Sequence, residues 1–96
     1  MTKRWEAIVI NKKDNVATAL KTIQAGARIH VEAAGEVLEI TVLTDIPMGH
    51  KFALREIDEG EPVIKYGEPI GWSRAKITAG EHVHIHNVLN QPGGGL

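Results

Sequence analysis

Three of the five histidines in this 96-residue chain stand at every second position near its C-terminus. The segment reads Gly80-Glu81-His82-Val83-His84-Ile85-His86-Asn87. Because successive side chains of a β-strand point to opposite faces, a strand here would place the three imidazoles on one face and Val83 and Ile85 in the core. Neutral imidazole is a common metal ligand, so the pattern indicates a metal or anion site. A solvated strand face that is merely rich in histidine explains the pattern equally well.

The dimensions of a strand limit how many of these imidazoles can share one ion. Same-face side chains two residues apart are separated by about 7 Å, whereas His82 and His86 are separated by about 13 Å. With ligand bonds of about 2.1 Å, one ion can join a neighbouring pair but reaches both ends only if the strand bends. Open positions would then remain for water or for a substrate hydroxyl and carboxylate, as metal-assisted chemistry requires.

Composition restricts both the ligands and the partners. The chain has no cysteine, which excludes thiolate sites, leaves histidine, carboxylate and carbonyl ligands, and fits a reducing cytoplasm. Eleven basic and twelve acidic residues give a net charge of −1, and aromatic residues are scarce, so no nucleic-acid surface is expected. No apolar run approaches the roughly twenty residues of a membrane span, and the N-terminus does not resemble a signal peptide. We therefore expect a soluble, cytoplasmic protein.

A recurring turn organises the rest of the chain. The pattern apolar-x-x-Ile-x-x-Gly-x-x-apolar occurs four times, with Arg74 in place of the first apolar residue in the last copy. Its isoleucines are Ile23, Ile46, Ile57 and Ile77, so the intervals are unequal. Unequal intervals favour a repeated turn over a regular solenoid. We expect a strand that ends at the isoleucine, a glycine with positive φ, and a new strand two or three residues later.

These dense turn signals predict an all-β domain of short strands. Strands are expected over residues 5–10, 37–43, 51–56, 62–65, 70–77 and the histidine segment. Residues 16–23 have apolar residues at helical spacing behind a possible Asp14 cap, yet their threonines favour a strand, and we expect a short turn that leads into a strand. Residues 1–90 are interpreted as one domain and residues 91–96 as a flexible glycine-rich tail.

Several ordered motifs resemble those of one enzyme family. I-P-x-G-H-K spans residues 46–51, V-I-K-Y-G spans residues 63–67, and G-E-x-V-H-x-H-N spans residues 80–87. With D-N-V-A at residues 14–17, they make the chain similar to the N-terminal SAF-type domain of the UxaA family, which includes altronate and galactarate dehydratases and sulfolactate sulfo-lyases. The resemblance extends over nearly the whole chain, up to about residue 87.

The resemblance implies an all-β, SAF-type β-clip of short bent strands and hairpins, with at most one or two helical turns. It also implies the small accessory subunit, or the N-terminal domain, of a metal-dependent carbon–oxygen or carbon–sulfur lyase that acts on a sugar acid or on sulfolactate. A large UxaA-type catalytic subunit would hold most of the active site, so this chain is expected to be inactive alone. The implied metal is Fe²⁺, with Mn²⁺ or Zn²⁺ as alternatives, and self-association into a homo-oligomer stays open.

The matched positions also supply the expected site residues. Three matched histidines are expected to hold the metal: His50, His84 and His86. Four further residues are expected to bind the anionic hydroxy-acid substrate: Lys51, Lys65, Tyr66 and Asn87. Three of these four have an equally simple structural explanation. Lys51 and Lys65 would be solvated residues of a strand face, and Tyr66 would be a turn residue that caps the core. His82 stands where the family pattern is not fixed, and His30 lies outside every motif. No nucleophile with a paired base is evident, so no catalytic residue is assigned.

Two other interpretations compete with the lyase subunit. The histidine face supports a stand-alone metal- or carbohydrate-binding β module without catalysis equally well. A purely structural β-clip domain with incidental histidines is the third.

Overall fold

The computed structural model describes residues 6–33 and 35–92, and over these residues it contains strands and turns but no helix. The strands are β1 (Ala7–Ile8), β2 (Val16–Ala19), β3 (Arg28–Ala33), β4 (Glu36–Thr41), β5 (Lys51–Ala53), β6 (Pro62–Lys65), β7 (Glu68–Ser73), β8 (His82–Val83) and β9 (Val88–Leu89). The all-β prediction is confirmed, and the ambiguous segment 16–23 contains β2. In this part of the chain nothing resembles a helix long and apolar enough to cross a membrane. Trp5, the expected start of the first strand, and tail residues 93–96 lie outside the described residues.

The described strands form two curled sheets. The larger sheet has the order β4-β3-β1-β2-β5-β8, and the smaller has the order β6-β7-β9. Neighbouring strands are antiparallel except for β1 and β3, which are parallel. The larger sheet therefore brings the segment after the second recurring turn, β5, next to the segment after the fourth, β8.

The four recurring turns associate in two pairs. Ile23 and Ile46 form one isolated antiparallel bridge, and Ile57 and Ile77 form the other. Each bridge has two backbone hydrogen bonds of 2.8–2.9 Å. All four turn glycines have φ between 84° and 88°, as expected. The unequal intervals in the sequence thus conceal two equivalent pairs of turns.

The strand boundaries around these turns are partly as predicted. A new strand begins two residues after each turn glycine, which confirms the expectation. The preceding strands, however, end four or five residues before the isoleucine and not at it. The reason is that each isoleucine forms an isolated bridge with its partner isoleucine, and the residues before and after it do not continue the pairing. A single bridge is too short to continue a strand.

The paired isoleucines anchor two apolar clusters. Ile23 and Ile46 belong to the larger cluster with Phe52, and Ile57 and Ile77 belong to the smaller one with Val83. All six side chains are at most 2% exposed. Burial of one such side chain contributes about 1.5–3 kcal/mol, so each turn is fixed by its own isoleucine. Phe52 and Val83, on the adjacent strands β5 and β8, extend this anchoring to the segments that carry histidines.

Gly80 offers a test of the turn geometry. An alanine Cβ there would overlap the carbonyl oxygen of Thr41, whereas one at Gly26, which has the same φ of 88°, would meet nothing within 4 Å. We expect Gly26→Ala to lower the free energy of unfolding by about 1–2 kcal/mol, the strain of a left-handed residue. Gly80→Ala should lower it by about 1–3 kcal/mol more, the usual penalty of overpacking. Urea unfolding of both variants measures the difference, and equal losses would contradict the close approach at Gly80.

A histidine cluster as candidate functional site

The expected histidine strand is interrupted. β8 ends at Val83, and residues 84–87 form a tight turn before β9. Val83 is buried as predicted, but Ile85, also expected in the core, is 82% exposed at the tip of the turn. The prediction of one continuous strand is therefore wrong. Its physical cause is that β8 pairs with β5 over only two residues, after which the chain must reverse so that β9 can pair with β7.

The turn gathers imidazoles that a straight strand would keep apart. Lys51 pairs with Val83, so the continued register places His50 opposite His84. The ring centroids of His50 and His84 are 4.3 Å apart, and those of His50 and His82 are 5.1 Å apart. Hence the β5–β8 pairing brings a histidine of the second recurring turn onto the histidine segment.

Three of these imidazoles have the geometry to share one ion. Ring nitrogens of His50, His82 and His84 all lie within 4.8 Å of one another. His50 Nδ1 and His82 Nε2 are 2.9 Å apart. Adjacent ligands with bonds of about 2.1 Å would have nitrogens roughly 3–3.4 Å apart, so the separation of this pair is close to that of two ligands, although the two nitrogens are hydrogen-bonded to each other and the rings must turn to face one ion. The rings are stacked at angles of 11–23°, so rotation about the soft Cβ–Cγ torsions is needed to direct their lone pairs toward one point. The residues therefore fit a divalent ion.

This set differs in one member from the metal ligands expected from the sequence. His82, which the motif comparison left without a role, belongs to the set, and His86 does not. His86 instead lies beside His82, with a centroid separation of 5.3 Å. Strand geometry allows His82 and His86 to approach each other only if the strand bends, and the chain bends immediately after Val83. The sequence did contain a signal for His82. It stands two residues after the turn glycine Gly80, just as Lys51, the first residue of β5, stands two residues after Gly49.

The surroundings of His82 and His84 favour the neutral form of both imidazoles. Desolvation is the main cause that lowers the pKa of His82, followed by repulsion from His86, His50, His84 and Lys51. The pKa of His84 is lowered by desolvation and then by His50, Lys51 and His86. A lowered pKa leaves the unprotonated lone pair available near neutral pH, and that lone pair is the form that binds a metal.

A pocket of about 280 Å³ adjoins the cluster. Lys51, His84 and Asn90 contribute its polar groups, and aliphatic side chains of β7, the histidine turn and β9 form the rest. Of the lysines expected to bind substrate, Lys51 is thus the one placed beside the histidines.

Lys65 and Tyr66 lie elsewhere. The hairpin turn that carries them donates a backbone hydrogen bond to Asp14 Oδ1 at 2.8 Å, just before β2 begins. His50 instead accepts from the N–H of Ala19, where β2 ends. These two points are five positions apart in the sequence, at most about 16 Å along the chain. Lys65 Nζ donates to Tyr66 Oη at 2.8 Å, so the pair is self-contained and is not brought to the histidine cluster.

Two other residues singled out in the sequence have clear surroundings. Asn87 is 6% exposed, and its side-chain amide is engaged by the backbone of His82 and His84. These contacts favour a positioning role over the direct substrate contact expected from the motif. His30 is exposed on β3 opposite Glu39, outside the cluster.

Comparison with known proteins supports the resemblance seen in the sequence. The family described as the altronate/galactarate dehydratase SAF domain matches residues 5–91. The chain is 46% identical over 80 residues to the altronate dehydratases of Bacillus subtilis (strain 168) and Escherichia coli (strain K12), a match that covers 83% of this chain and 15% of each relative.

A second group of relatives consists of separate subunits. The chain is 51% identical over 51 residues to the (2R)-sulfolactate sulfo-lyase subunit alpha of Chromohalobacter salexigens, which covers 53% of this chain and 54% of that subunit. The chain therefore spans only part of the length of the curated relatives it matches. Because the family match extends over nearly all of the sequence, the chain belongs to the altronate/galactarate dehydratase SAF domain family.

Proposed function

We propose that this chain is the small subunit or N-terminal domain of a lyase that acts on a sugar acid or on sulfolactate. The names of its relatives, altronate dehydratase and sulfolactate sulfo-lyase subunit alpha, support this proposal. Its role is to contribute a metal site to an active centre that a larger catalytic chain completes. The convergence of His50, His82 and His84 within 4.8 Å is the observation that carries the metal assignment.

The three histidines would hold a divalent ion. Fe²⁺ is proposed, and Mn²⁺ or Zn²⁺ are alternatives. Imidazole is a good ligand for Fe²⁺ and Zn²⁺ and a weaker one for Mn²⁺. When bound, the ion supplies Lewis acidity toward the departing hydroxyl or sulfite. The chain's own part is to keep His82 and His84 unprotonated, which their lowered pKa values favour. His86, next to His82, raises the local positive charge when protonated and so helps to hold the pKa of its neighbour down.

Lys51 is proposed to bind the carboxylate or sulfonate of the substrate. Its side chain lines the pocket beside His84, and the remaining walls are largely aliphatic. Once the larger chain covers the pocket, such walls would exclude water and strengthen an ammonium–carboxylate contact. Lys65 and Tyr66 are not given this role, because their hairpin turn is bonded to Asp14, before β2 begins, whereas His50 is bonded to Ala19 at the far end of β2.

The proton next to the substrate carboxylate needs a base. Because the clustered imidazoles would be occupied as ligands, we place this base on the larger chain. The pocket beside the cluster is open to solvent on this domain, and the larger chain would also have to cover it.

The subunit assignment is tested by isolating the tagged chain from its source cells. A larger chain in equal amount, or continuation of the same polypeptide into one, is expected. Dehydration of altronate or galactarate, or sulfite release from sulfolactate, should occur only with that larger part. Turnover by the small chain alone would refute the accessory role. Metal binding without companion or turnover would favour the stand-alone binding module.

The composition of the metal site is tested by titration calorimetry with Zn²⁺, and with Fe²⁺ under anaerobic conditions. His50→Ala, His82→Ala and His84→Ala should each weaken binding at least tenfold, because each removes one of three converging ligands. His30→Ala is the matched control and should change nothing. His86→Ala should have a smaller effect than His82→Ala. The opposite order would reinstate His86 as the ligand.

The affinity for Zn²⁺ should depend on pH in a defined direction. Protons compete with the ion for imidazole, so affinity should fall on acidification, and because the pKa values of His82 and His84 are lowered, their share of the loss should come below pH 6.5, the ordinary histidine value. In the metal-free protein the same shifts add stability that is present above about pH 6.5 and lost on acidification. Thermal unfolding between pH 5 and 7.5 measures this, and His82→Gln should flatten the profile. If the part of the thermal stability that His82→Gln removes were lost well above pH 6.5, the direction of the pKa shifts would be contradicted.

A further inference from the structure

The side chain of Asn87 completes the open edge of β8. Its Nδ2 donates to the carbonyl of His82 at 2.8 Å, and its Oδ1 accepts from the N–H of His84 at 2.9 Å. These are the two bonds that a parallel neighbouring strand would make across from Val83. Within the described sheet, β8 is the terminal strand and pairs with β5 over two residues. The amide therefore takes the place of a missing strand on the side of β8 away from β5.

The backbone of Asn87 is engaged as well. Its N–H donates to the carbonyl of His84 at 3.1 Å, and its carbonyl accepts from the N–H of Arg74 at 2.9 Å. One residue thus closes the histidine turn and ties it to the segment after β7. Because two of the four bonds reach the peptide groups of His84 and one reaches that of His82, the backbone orientation of both histidines depends on Asn87.

The same device occurs a second time in the chain without histidines. Asn15 Nδ2 donates to the carbonyl of Pro62 at 2.9 Å, and Asn15 Oδ1 accepts from the N–H of Ile64 at 2.8 Å. The valine between these two groups, Val63, is buried and stands three residues after a turn glycine, as Val83 does. Asn15 is also buried. The two asparagines are thus equivalent supports of two equivalent strands, and one of these strands carries the candidate site.

We propose that Asn87 is a positioning residue of the histidine cluster. Its amide fixes the peptides on either side of Val83, so that the imidazoles of His82 and His84 project from one face of β8 toward His50. Without the amide, β8 would be held by β5 alone, and the two rings would no longer be fixed relative to His50. The proposal rests on the proposed function only where metal binding is the measurement. The arrangement of the rings can be measured without metal.

Asn87→Ala and Asn15→Ala form a matched pair that separates positioning from stability. Each variant loses two equivalent hydrogen bonds of a buried amide, so both should lower the thermal midpoint. Asn87→Ala should in addition raise the dissociation constant for Zn²⁺ by about 10–100-fold, the usual effect of losing a residue that orients metal ligands. Asn15→Ala should leave that constant within about twofold. Equal weakening in both variants, or none in Asn87→Ala, would overturn the proposal.

A second measurement needs no metal. Cross-relaxation between ring protons of His50 and His84, whose centroids are 4.3 Å apart, should be seen in the wild-type chain and in Asn15→Ala but lost in Asn87→Ala. Asn87→Asp keeps the acceptor for His84 and loses the donor to His82, so it serves if Asn87→Ala does not fold and should retain part of the signal. Retention of the full signal in every folded Asn87 variant would refute the positioning role. Absence of Zn²⁺ binding by the wild type would instead refute the proposed metal site and leave this measurement valid.

Discussion

The reciprocal backbone bonding between paired Ile-x-x-Gly turns is the constraint on which the rest of the domain depends. Ile23 bonds to Ile46 and Ile57 bonds to Ile77. Each turn glycine also donates its N–H to a carbonyl at the end of the strand that precedes the partner turn, or one residue beyond it, as Gly49 does to Ala19 at 2.9 Å. Short strands bury little apolar area individually. Because every turn is bonded to another turn and carries a buried isoleucine, the domain does not need long strands or a helix to close its core.

This constraint also explains why histidines from distant parts of the sequence meet. His50 and His82 each follow a turn glycine, but the two turns belong to different pairs. β5 and β8, which begin after these turns, are the strands that join one pair to the other in the larger sheet. The candidate site therefore lies at a junction between the two halves of the fold. The junction is short, so the segment after it is free to bend.

The features that could be predicted from the sequence are those that depend on interactions between residues close together in the chain. The positive φ of the turn glycines, the start of a new strand two or three residues later and the all-β class depend on local chemistry, and all were predicted. The end of β8 at Val83 depends on how many residues β5 offers for pairing, which no local pattern reveals. The exposure of Ile85 and the inclusion of His82 in the cluster follow from that one non-local fact. Perfect alternation of histidine with aliphatic residues made the straight strand the natural and mistaken expectation.

The roles of the two buried asparagines were hidden for a related reason. An asparagine next to an alternating histidine motif suggests a ligand contact, since its amide can donate and accept. In this fold such an amide has a competing use, because short strands leave peptide groups without partners and a buried, unpaired peptide group costs about 1–3 kcal/mol. Asn15 and Asn87 meet that need at Val63 and at Val83. Because the amide of Asn87 serves the backbone, the polar groups that line the pocket are those of Lys51, His84 and Asn90, so the pocket on this chain has few polar groups for distinguishing one acid from another.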